Sequence, residues 1–477
     1  MEFEAVIGLE VHVQMNTKTK IFCGCSTAFG ADSNTQTCPV CLGLPGVLPV
    51  LNKEVVRKAV MAGLAINSNI AHYSKFDRKN YFYPDLPKAY QISQFDKPIC
   101  IGGHIEIKSG DTTRNIRLNR LHMEEDASKI IHSDDPSRKV SYVDYNRGGV
   151  PLMEIVSEPD LHNADETYDY LMKLRQIMKY INVSDCNMEE GSLRCDVNIS
   201  LRPKGEQKLG QKVEIKNMNS FKAVKAAIEY EITRQTRMLD DKERIVQETR
   251  LWDADKNATF SMRSKEEAHD YRYFPEPDLP PVVLSDEYID EIRSSLPELP
   301  DARRKRFINE HSLPEYDAGV LTATKQVADF YDATVKCGAQ PKKVSNWIMS
   351  ELLARIDDHE KIQECKVTPE SLAKLISMID DNTISGKIAK TVFMEMIETG
   401  GTPDAIVKEK GLTQVTDTGE IERIVDQVIS ANPQSVADFN AGKEKAIGFL
   451  VGQTMKLSKG KANPQMVNDI IIKKLKG

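Results

Sequence analysis

Residues 188–200 read MEEGSLRCDVNIS, and from position 193 the side chains alternate: Leu193, Cys195, Val197 and Ile199 against Arg194, Asp196, Asn198 and Ser200. A period of two puts successive side chains on opposite sides of an extended chain, so this is a strand with one face for a core and one for polar chemistry. Glu189 and Glu190 precede the turn residue Gly191 and add acids at the strand's entry. AVIGLEVHVQ, residues 5–14, repeats the design, with Glu10, His12 and Gln14 facing one way and Leu9, Val11 and Val13 the other. A third acidic group, Glu124, Glu125 and Asp126, follows in LHMEEDASK. If the three segments converge, carboxylates about 4 Å apart repel by roughly 4 kcal/mol per pair at an effective dielectric of about 20. Such a cluster requires a cation. Carboxylate oxygens with one imidazole suit Mg²⁺ or Mn²⁺ better than Zn²⁺, and Mg²⁺ usually arrives with a nucleotide phosphate. The same alternation also suits an edge strand whose polar face is merely solvated.

A different metal chemistry is written into Cys23-Gly-Cys25 and Cys38-Pro-Val-Cys41, two close thiol pairs separated by twelve residues. That spacing matches a tetrahedral structural zinc site, closed because cysteine fills all four positions. A redox pair at Cys38 and Cys41, or four ordinary thiols, are the competing readings, and neither accounts for Cys23 and Cys25. Nine cysteines, an odd number, together with an acidic, strand-like N-terminus and no run of eighteen apolar residues, argue against a disulfide framework, a signal peptide and a membrane span. The expected location is the cytosol. A net charge of −7 gives no global attraction to nucleic acid, so binding of that kind needs a local basic surface.

The next stretch, KFDRKNYFYPDLPKAYQISQFDKPI, mixes Lys75, Arg78, Lys79 and Lys88 with Phe76, Tyr81, Phe82, Tyr83 and Tyr90. Pro84 and Pro87 exclude a regular helix, leaving a structured loop whose interleaved aromatics and cations suit stacking on nucleotide bases or lining a polar passage, or which simply packs on the surface. VEIKNMNSF reads as a strand entering a helix: Glu214 and Lys216 share a face, Asn217 and Asn219 make the turn, and Ser220 caps the helix opened by Phe221. Lys216 is either a phosphate ligand or the salt-bridge partner of a neighbour such as Glu214. Arg250, Arg263, Lys265 and Arg272 supply further positive charge. There is no GxxxxGK[ST] and no GxGxxG, so an ATP site in this chain must be built from carboxylates and metal rather than a phosphate loop. No local nucleophile motif stands out either.

Asp144, Asn146, Arg147, Gly149, Pro151, Leu152, Glu154, Ser157, Pro159 and Asp160, within VDYNRGGVPLMEIVSEPD, resemble the signature of the B-subunit family of glutamyl/aspartyl-tRNA amidotransferases. GLEVHVQ, the paired cysteines, NYFYPDLPKAYQISQ, EEGSLRCDVNIS, EIKNMNSF and DYRYFPEPDLPP resemble the same family, in its order, across residues 8–281. The resemblance implies a heterotrimer completed by an amidase (the A subunit) together with a small third member (the C subunit). It also implies Mg²⁺-ATP-dependent phosphorylation of the side-chain carboxylate of mischarged Glu-tRNA(Gln) or Asp-tRNA(Asn), followed by amidation with ammonia from the amidase. An acyl phosphate divides one difficult substitution into two easier ones. On this reading Glu10, His12, Glu125, Glu190 and Asp196 are the leading catalytic candidates, with Glu10, His12, Glu125 and Asp196 as Mg²⁺ ligands. Glu124, Glu154, Lys216, Asn198 and Arg263 support nucleotide binding, and Lys79 and Lys88 mark an ammonia path. The rival is a non-catalytic, zinc-containing scaffold that binds tRNA while a partner does the chemistry. A zinc hydrolase is disfavoured because four cysteines leave the metal no open position.

Pro275, Pro277, Pro280 and Pro281 then break the chain, and helical periodicity takes over. In TPESLAKLISMI, Thr368 caps, Pro369 takes the first position, and Leu372, Leu375, Ile376 and Ile379 form the stripe. A second break comes at Gly400, Gly401 and Pro403. The expected fold is α+β: residues 1–285 as a catalytic domain on a largely antiparallel sheet with flanking helices and a zinc loop, 286–402 as a helical domain, and 403–477 as a small helical tail. From residue 442 onward eight lysines face only Glu444 and Asp469. KLSKGKANP, with Lys456, Lys459 and Lys461, is the candidate tRNA contact, or else a solvated helix end.

Overall fold

The computed structural model describes residues 2–110, 112–133, 140–262, 271–412, 418–441, 443, 445–458 and 462–476. Arg263, Lys265, Lys459 and Lys461 lie outside the described residues. The chain forms two compact units, Met1–Pro300 and Asp301–Gly477.

The alternating segments of the first unit build a ten-stranded sheet. Its strands are β1 (Phe3–Gln14), β2 (Asn69–Ile70), β3 (Cys100–Ile101), β4 (His104–Ser109), β5 (Thr112–Glu125), β6 (Pro151–Ser157), β7 (Leu193–Pro203), β8 (Val213–Lys216), β9 (Glu248–Asp253) and β10 (Ala258–Ser261). They lie in the order β10-β9-β8-β7-β1-β6-β5-β3-β2, with β4 also pairing β5. The pairing is antiparallel except between β8 and β9. With the helices that follow, this is the expected α+β class.

The sheet's two faces differ as period two dictates. Leu9, Val11, Val13, Leu121, Met123, Met153, Ile155, Cys195, Val197 and Ile215 join one core with buried residues of three helices, α1 (Lys53–Ala65), α2 (Ala164–Tyr180) and α3 (Phe221–Asp240). Ser220 caps α3 by accepting from the Ala223 N–H at 3.1 Å, and Asn217 adopts a φ of 69° in the turn before it. The aromatic stretch is more regular than a loop: Asp77–Asn80 and Tyr90–Ser93 pair as strands on either side of the prolines. Below the proline-rich break, the helix Asp286–Ser295 inserts Ile289 and Ile292 into the first unit's core.

The second unit is helical. Thr368 and Ser371 form a reciprocal cap on the helix Pro369–Asp380, whose Leu372, Leu375 and Ile376 are buried, while Gly400, at a φ of 76°, ends the helix Gly386–Thr399. One apolar cluster runs from Phe307 to Val407, continuing across the Gly400–Pro403 break to take in Ile406 and Val407, and another runs from Ile421 to Ile471. No helix among the described residues is long and apolar enough to cross a membrane.

Asp126, immediately after β5, ties the sheet's polar face together. It is 3% exposed and accepts from Gln14 of β1 at 2.6 Å and Arg194 of β7 at 2.9 Å, with Arg147 at 3.8 Å. Burial works against its charge, yet the Arg194 and Arg147 guanidiniums hold its pKa below the ordinary 3.8. A carboxylate with a depressed folded pKa stabilises above its unfolded value and loses that contribution as pH falls through the folded one. Asp126→Asn leaves Arg194 without its counter-charge, and because Arg194 is a third exposed the expected cost is about 3 kcal/mol, the low end for a broken buried pair. In urea unfolding of the first unit, the gap between wild type and variant is full near neutral pH and closes as pH drops below 3.8.

Candidate metal and nucleotide site

Four neighbouring strands bring titratable groups into one row of the polar face. His122 of β5 lies opposite Glu154 of β6, Glu154 opposite His12 of β1, and His12 opposite Arg194 of β7. The His12 Nε2 is 3.4 Å from Glu154 and 3.8 Å from Glu124, and the His122 Nε2 is 3.4 Å from Glu154 and 3.6 Å from Glu124. His12, Glu124 and Glu154 offer ligand atoms within 4.8 Å of one another. Burial disfavours a charged His12, but its hydrogen bond to Glu154 and the charges of Glu154 and Glu124 raise its pKa on balance. Glu154 moves far below the carboxylate range, the charge of His122 and the bond from His12 outweighing its desolvation.

Two residues along β1, about 7 Å at the strand rise, Glu10 sits opposite Asp196. Glu10, Asp196 and Glu214 form a second group within 4.8 Å. Lys216 bridges it, 3.0 Å from Asp196 and 3.2 Å from Glu214. Burial, then repulsion from Glu154, Glu214 and Asp196, raises the Glu10 pKa, while Asn198 partly offsets this by donating to it at 3.0 Å. Among the described residues, the Asn198 Oδ1 and the His122 Nδ1 are buried without a hydrogen-bond partner. Crowded carboxylates and orphaned polar atoms on one face are what a site for a divalent cation and a polyanion requires.

An aromatic wall stands beside this face. Tyr81 and Tyr271 have ring centroids 5.8 Å apart, Tyr271 and Tyr273 6.0 Å, and Tyr273 stacks on Phe95 at 4.3 Å. The Lys79 ammonium is 4.8 Å from the Tyr271 ring centroid. Despite desolvation, Glu124 and its neighbours keep that lysine's pKa above the ordinary value, so it holds its proton.

The structure separates other residues singled out in the sequence. Glu125 follows Glu124 on β5 and therefore points to the opposite face. It meets Lys88 at 2.5 and 2.6 Å in a 130 Å³ cavity that is also lined by Lys20, Cys23 and Cys41. Glu190 is exposed in the turn before β7 and belongs to neither carboxylate group. Lys456 is exposed on the helix Lys445–Leu457. His122 and Glu214 carry site geometry that motif reading did not assign to them, although their strand parity with Glu124 and Lys216 is legible in the sequence.

Cys23, Cys25, Cys38 and Cys41 place their sulfurs within 4.8 Å of one another, with Cys38 and Cys41 3.9 Å apart. Zn–S bonds of about 2.3 Å in a tetrahedron put sulfurs about 3.8 Å apart, so the set fits zinc. Hydrogen bonding with Cys23 pulls the Cys41 thiol down to about 4 against its burial, with help from Lys20. Lys20 is fully buried, 3.6 Å from the Cys41 sulfur and bonded to the Tyr145 carbonyl at 3.1 Å. Its charge favours the Cys41 thiolate, whereas the Cys23 and Cys25 thiols are pushed up. The signature residues hold this loop: Asp144 accepts from the Asn34 N–H at 3.1 Å, and Asn146 accepts from the Gln36 N–H at 2.8 Å while donating to the Asp32 carbonyl at 2.7 Å. Ser157, farther along the signature, accepts the buried Leu9 N–H at 2.9 Å.

Residues 5–290 match the model of the GatB/GatE catalytic domain, and residues 329–475 that of the GatB domain. The chain is 58% identical, over 99% of both chains, to a Carboxydothermus hydrogenoformans protein named as the B subunit of an aspartyl/glutamyl-tRNA(Asn/Gln) amidotransferase. Proteins of the same name from Caldanaerobacter subterraneus and Geotalea daltonii are 58% and 57% identical over the full length of each chain.

Purified without chelator, the protein is expected to carry close to one zinc per chain by elemental analysis, and paired Cys38→Ser and Cys41→Ser substitutions remove it. Limited proteolysis then cleaves faster between residues 23 and 41, as expected for a loop whose sulfurs no longer share a metal.

Proposed function

This chain belongs to the family of aspartyl/glutamyl-tRNA(Asn/Gln) amidotransferase B subunits, and from that premise we propose that its polar sheet face phosphorylates the side-chain carboxylate of a mischarged aminoacyl-tRNA with ATP. The observation that carries the reading is the pair of carboxylate groups, His12–Glu124–Glu154 and Glu10–Asp196–Glu214, on adjacent rows of one sheet face. His12, Glu124 and Glu154 together with Glu10, Asp196 and Glu214 would hold magnesium, which would offset the charge that develops on the transferring phosphoryl group. Lys216 adds a fixed positive charge beside Asp196, and the Asn198 Oδ1, without a partner among the described residues, offers an acceptor next to Glu10. His12 and Glu154 hold one another in place, and the Tyr81–Tyr271–Tyr273 wall limits water access beside them.

In the proposed sequence, an oxygen of the substrate's glutamyl or aspartyl carboxylate bonds to the terminal phosphorus and ADP leaves. Ammonia then attacks the acyl carbon, the carbon–oxygen bond to phosphate breaks, and Gln-tRNA(Gln) or Asn-tRNA(Asn) is released with phosphate. Ammonia comes from a partner amidase, the A subunit, in a complex completed by the small C subunit. Lys88 and Glu125 mark the entrance in the cavity beside the zinc loop, and Lys79 the delivery side near Glu124. The zinc loop is structural, walling that cavity with Cys23 and Cys41. The basic C-terminal helices, Lys456 among them, contact the tRNA. Residues 1–285, 286–402 and 403–477 divide catalysis, a helical connection and tRNA binding.

The assembled complex, given ammonium chloride in place of glutamine, is expected to hydrolyse ATP only with mischarged tRNA present. Asp196→Ala is expected to lower that rate by about 100-fold or more, while the variant still binds tRNA with wild-type affinity. ATP hydrolysis that ignores Asp196, or that proceeds without mischarged tRNA, favours the non-catalytic scaffold instead.

A further inference from the structure

The proposed phosphate site lies midway along a row of side chains that continues past it. Glu10 faces Asp196 across β1 and β7, and Lys216 reaches Asp196 from β8. Lys216 is in register with Leu251 of β9, and Leu251 with Phe260 of β10. Paired residues project to the same side of a sheet, so Glu10, Asp196, Lys216, Leu251 and Phe260 all rise from the polar face. From Glu10 to Phe260 the chemistry changes once, from charged to apolar, at the step from Lys216 to Leu251.

The apolar end is open. Leu251 is 37% exposed, Phe260 44% and Met262 43%, while Trp252, projecting from the other face of β9, is 3% exposed. The Lys256 ammonium, paired with Asp253 at 3.1 Å, lies 4.8 Å from the Phe260 ring centroid and adds positive charge beside the ring. From Lys216 to Phe260 is two strand spacings, about 10 Å. That span leaves room for the sugar and inner phosphates of an extended nucleotide.

From this register we infer that Leu251 and Phe260 form the platform on which the adenine ring of the bound ATP lies, with the nucleotide running across the strands toward Asp196 and Glu10. The inference rests on the phosphorylating role proposed above and adds the base's position. Continuity carries it: the apolar step begins one strand from the lysine beside the carboxylates. A flat π-system gains from stacking on an aromatic ring without hydrogen bonds to its edge, and exposed Phe with Leu supplies such a surface.

The test uses the full chain assembled with its partner subunits and titrates Mg²⁺-ATP and Mg²⁺-tripolyphosphate by calorimetry. Phe260→Ala and Leu251→Ala are each expected to raise the ATP Kd by about 5- to 30-fold and to leave the tripolyphosphate Kd unchanged. Phe260→Tyr retains a ring and is expected to bind ATP as wild type does. Both sites are exposed, so a thermal-melting control within wild-type error accompanies each variant. Equal losses for ATP and tripolyphosphate, or no loss for either, overturn the platform. A raised KM for mischarged tRNA with the ATP KM unchanged assigns the surface to the tRNA's terminal adenosine and also overturns it. A wild-type complex that fails to bind Mg²⁺-ATP overturns the underlying reading together with this one. ATP binding that weakens with Asp196→Ala but not with Phe260→Ala overturns this one alone.

Discussion

The molecule depends on keeping several carboxylates on one sheet face without forcing them to protonate. Glu10, Glu124, Asp126, Glu154, Asp196 and Glu214 all rise from that face, carried by β1, β5 with the residue after it, β6, β7 and β8. Like charges at these separations cost several kcal/mol per pair in a half-buried setting. Interleaved cations and imidazoles offset this: Arg194 stands against Asp126, Lys216 lies between Asp196 and Glu214, and the rings of His12 and His122 lie against Glu124 and Glu154. The compensation is uneven. Around Glu154 the imidazoles suffice to keep the carboxylate ionised, whereas Glu10, which accepts a hydrogen bond from the neutral Asn198 amide, has its pKa raised by burial and by three neighbouring carboxylates. An added cation between the two groups relieves the repulsion at Glu10 as well as that around Glu124 and Glu154.

Support for this face comes from the opposite side and from the segment just before β6, which bonds to the cysteine loop. The apolar residues of β1, β5, β6 and β7 lock register by packing on α2 and α3, and a slip of one residue would send His12 into the core. Ser157 satisfies Leu9 where the β5–β6 register shifts, so Glu10 enters its row with its backbone held. Asp144 and Asn146 fasten the cysteine loop, and Lys20 joins the sulfurs to the Tyr145 carbonyl. Several residues of the family signature thus hold backbone in place, while Glu154 lies in the carboxylate group itself.

The period-two pattern makes β1 and β7 legible residue by residue, because alternation fixes which side chains share a face whatever the tertiary context. The same rule separates Glu124 from Glu125, since neighbours on a strand cannot point the same way. Treating both as one acidic cluster overlooks that parity. Glu190 joins the strand's acids only by proximity in sequence, for the strand begins at Leu193 and the turn leaves Glu190 in solvent. His122 and Glu214 escape sequence reading for another reason. Each has the right parity on its own strand, but only the strand order, with β5 next to β6 and β8 next to β7, shows what lies opposite, and pairing partners far apart in sequence are not encoded locally. The cysteine loop is readable because four thiols in two pairs have few other uses.

Whether the polar face holds a divalent cation through His12 and its neighbouring carboxylates is tested most directly by pulsed electron paramagnetic resonance on the full chain loaded with Mn²⁺ in place of Mg²⁺. The expected result is ¹⁴N modulation from a coordinated imidazole that disappears in His12→Ala, with weaker Mn²⁺ binding in Glu154→Gln. Bound Mn²⁺ without nitrogen coupling, or coupling that survives His12→Ala, would contradict it.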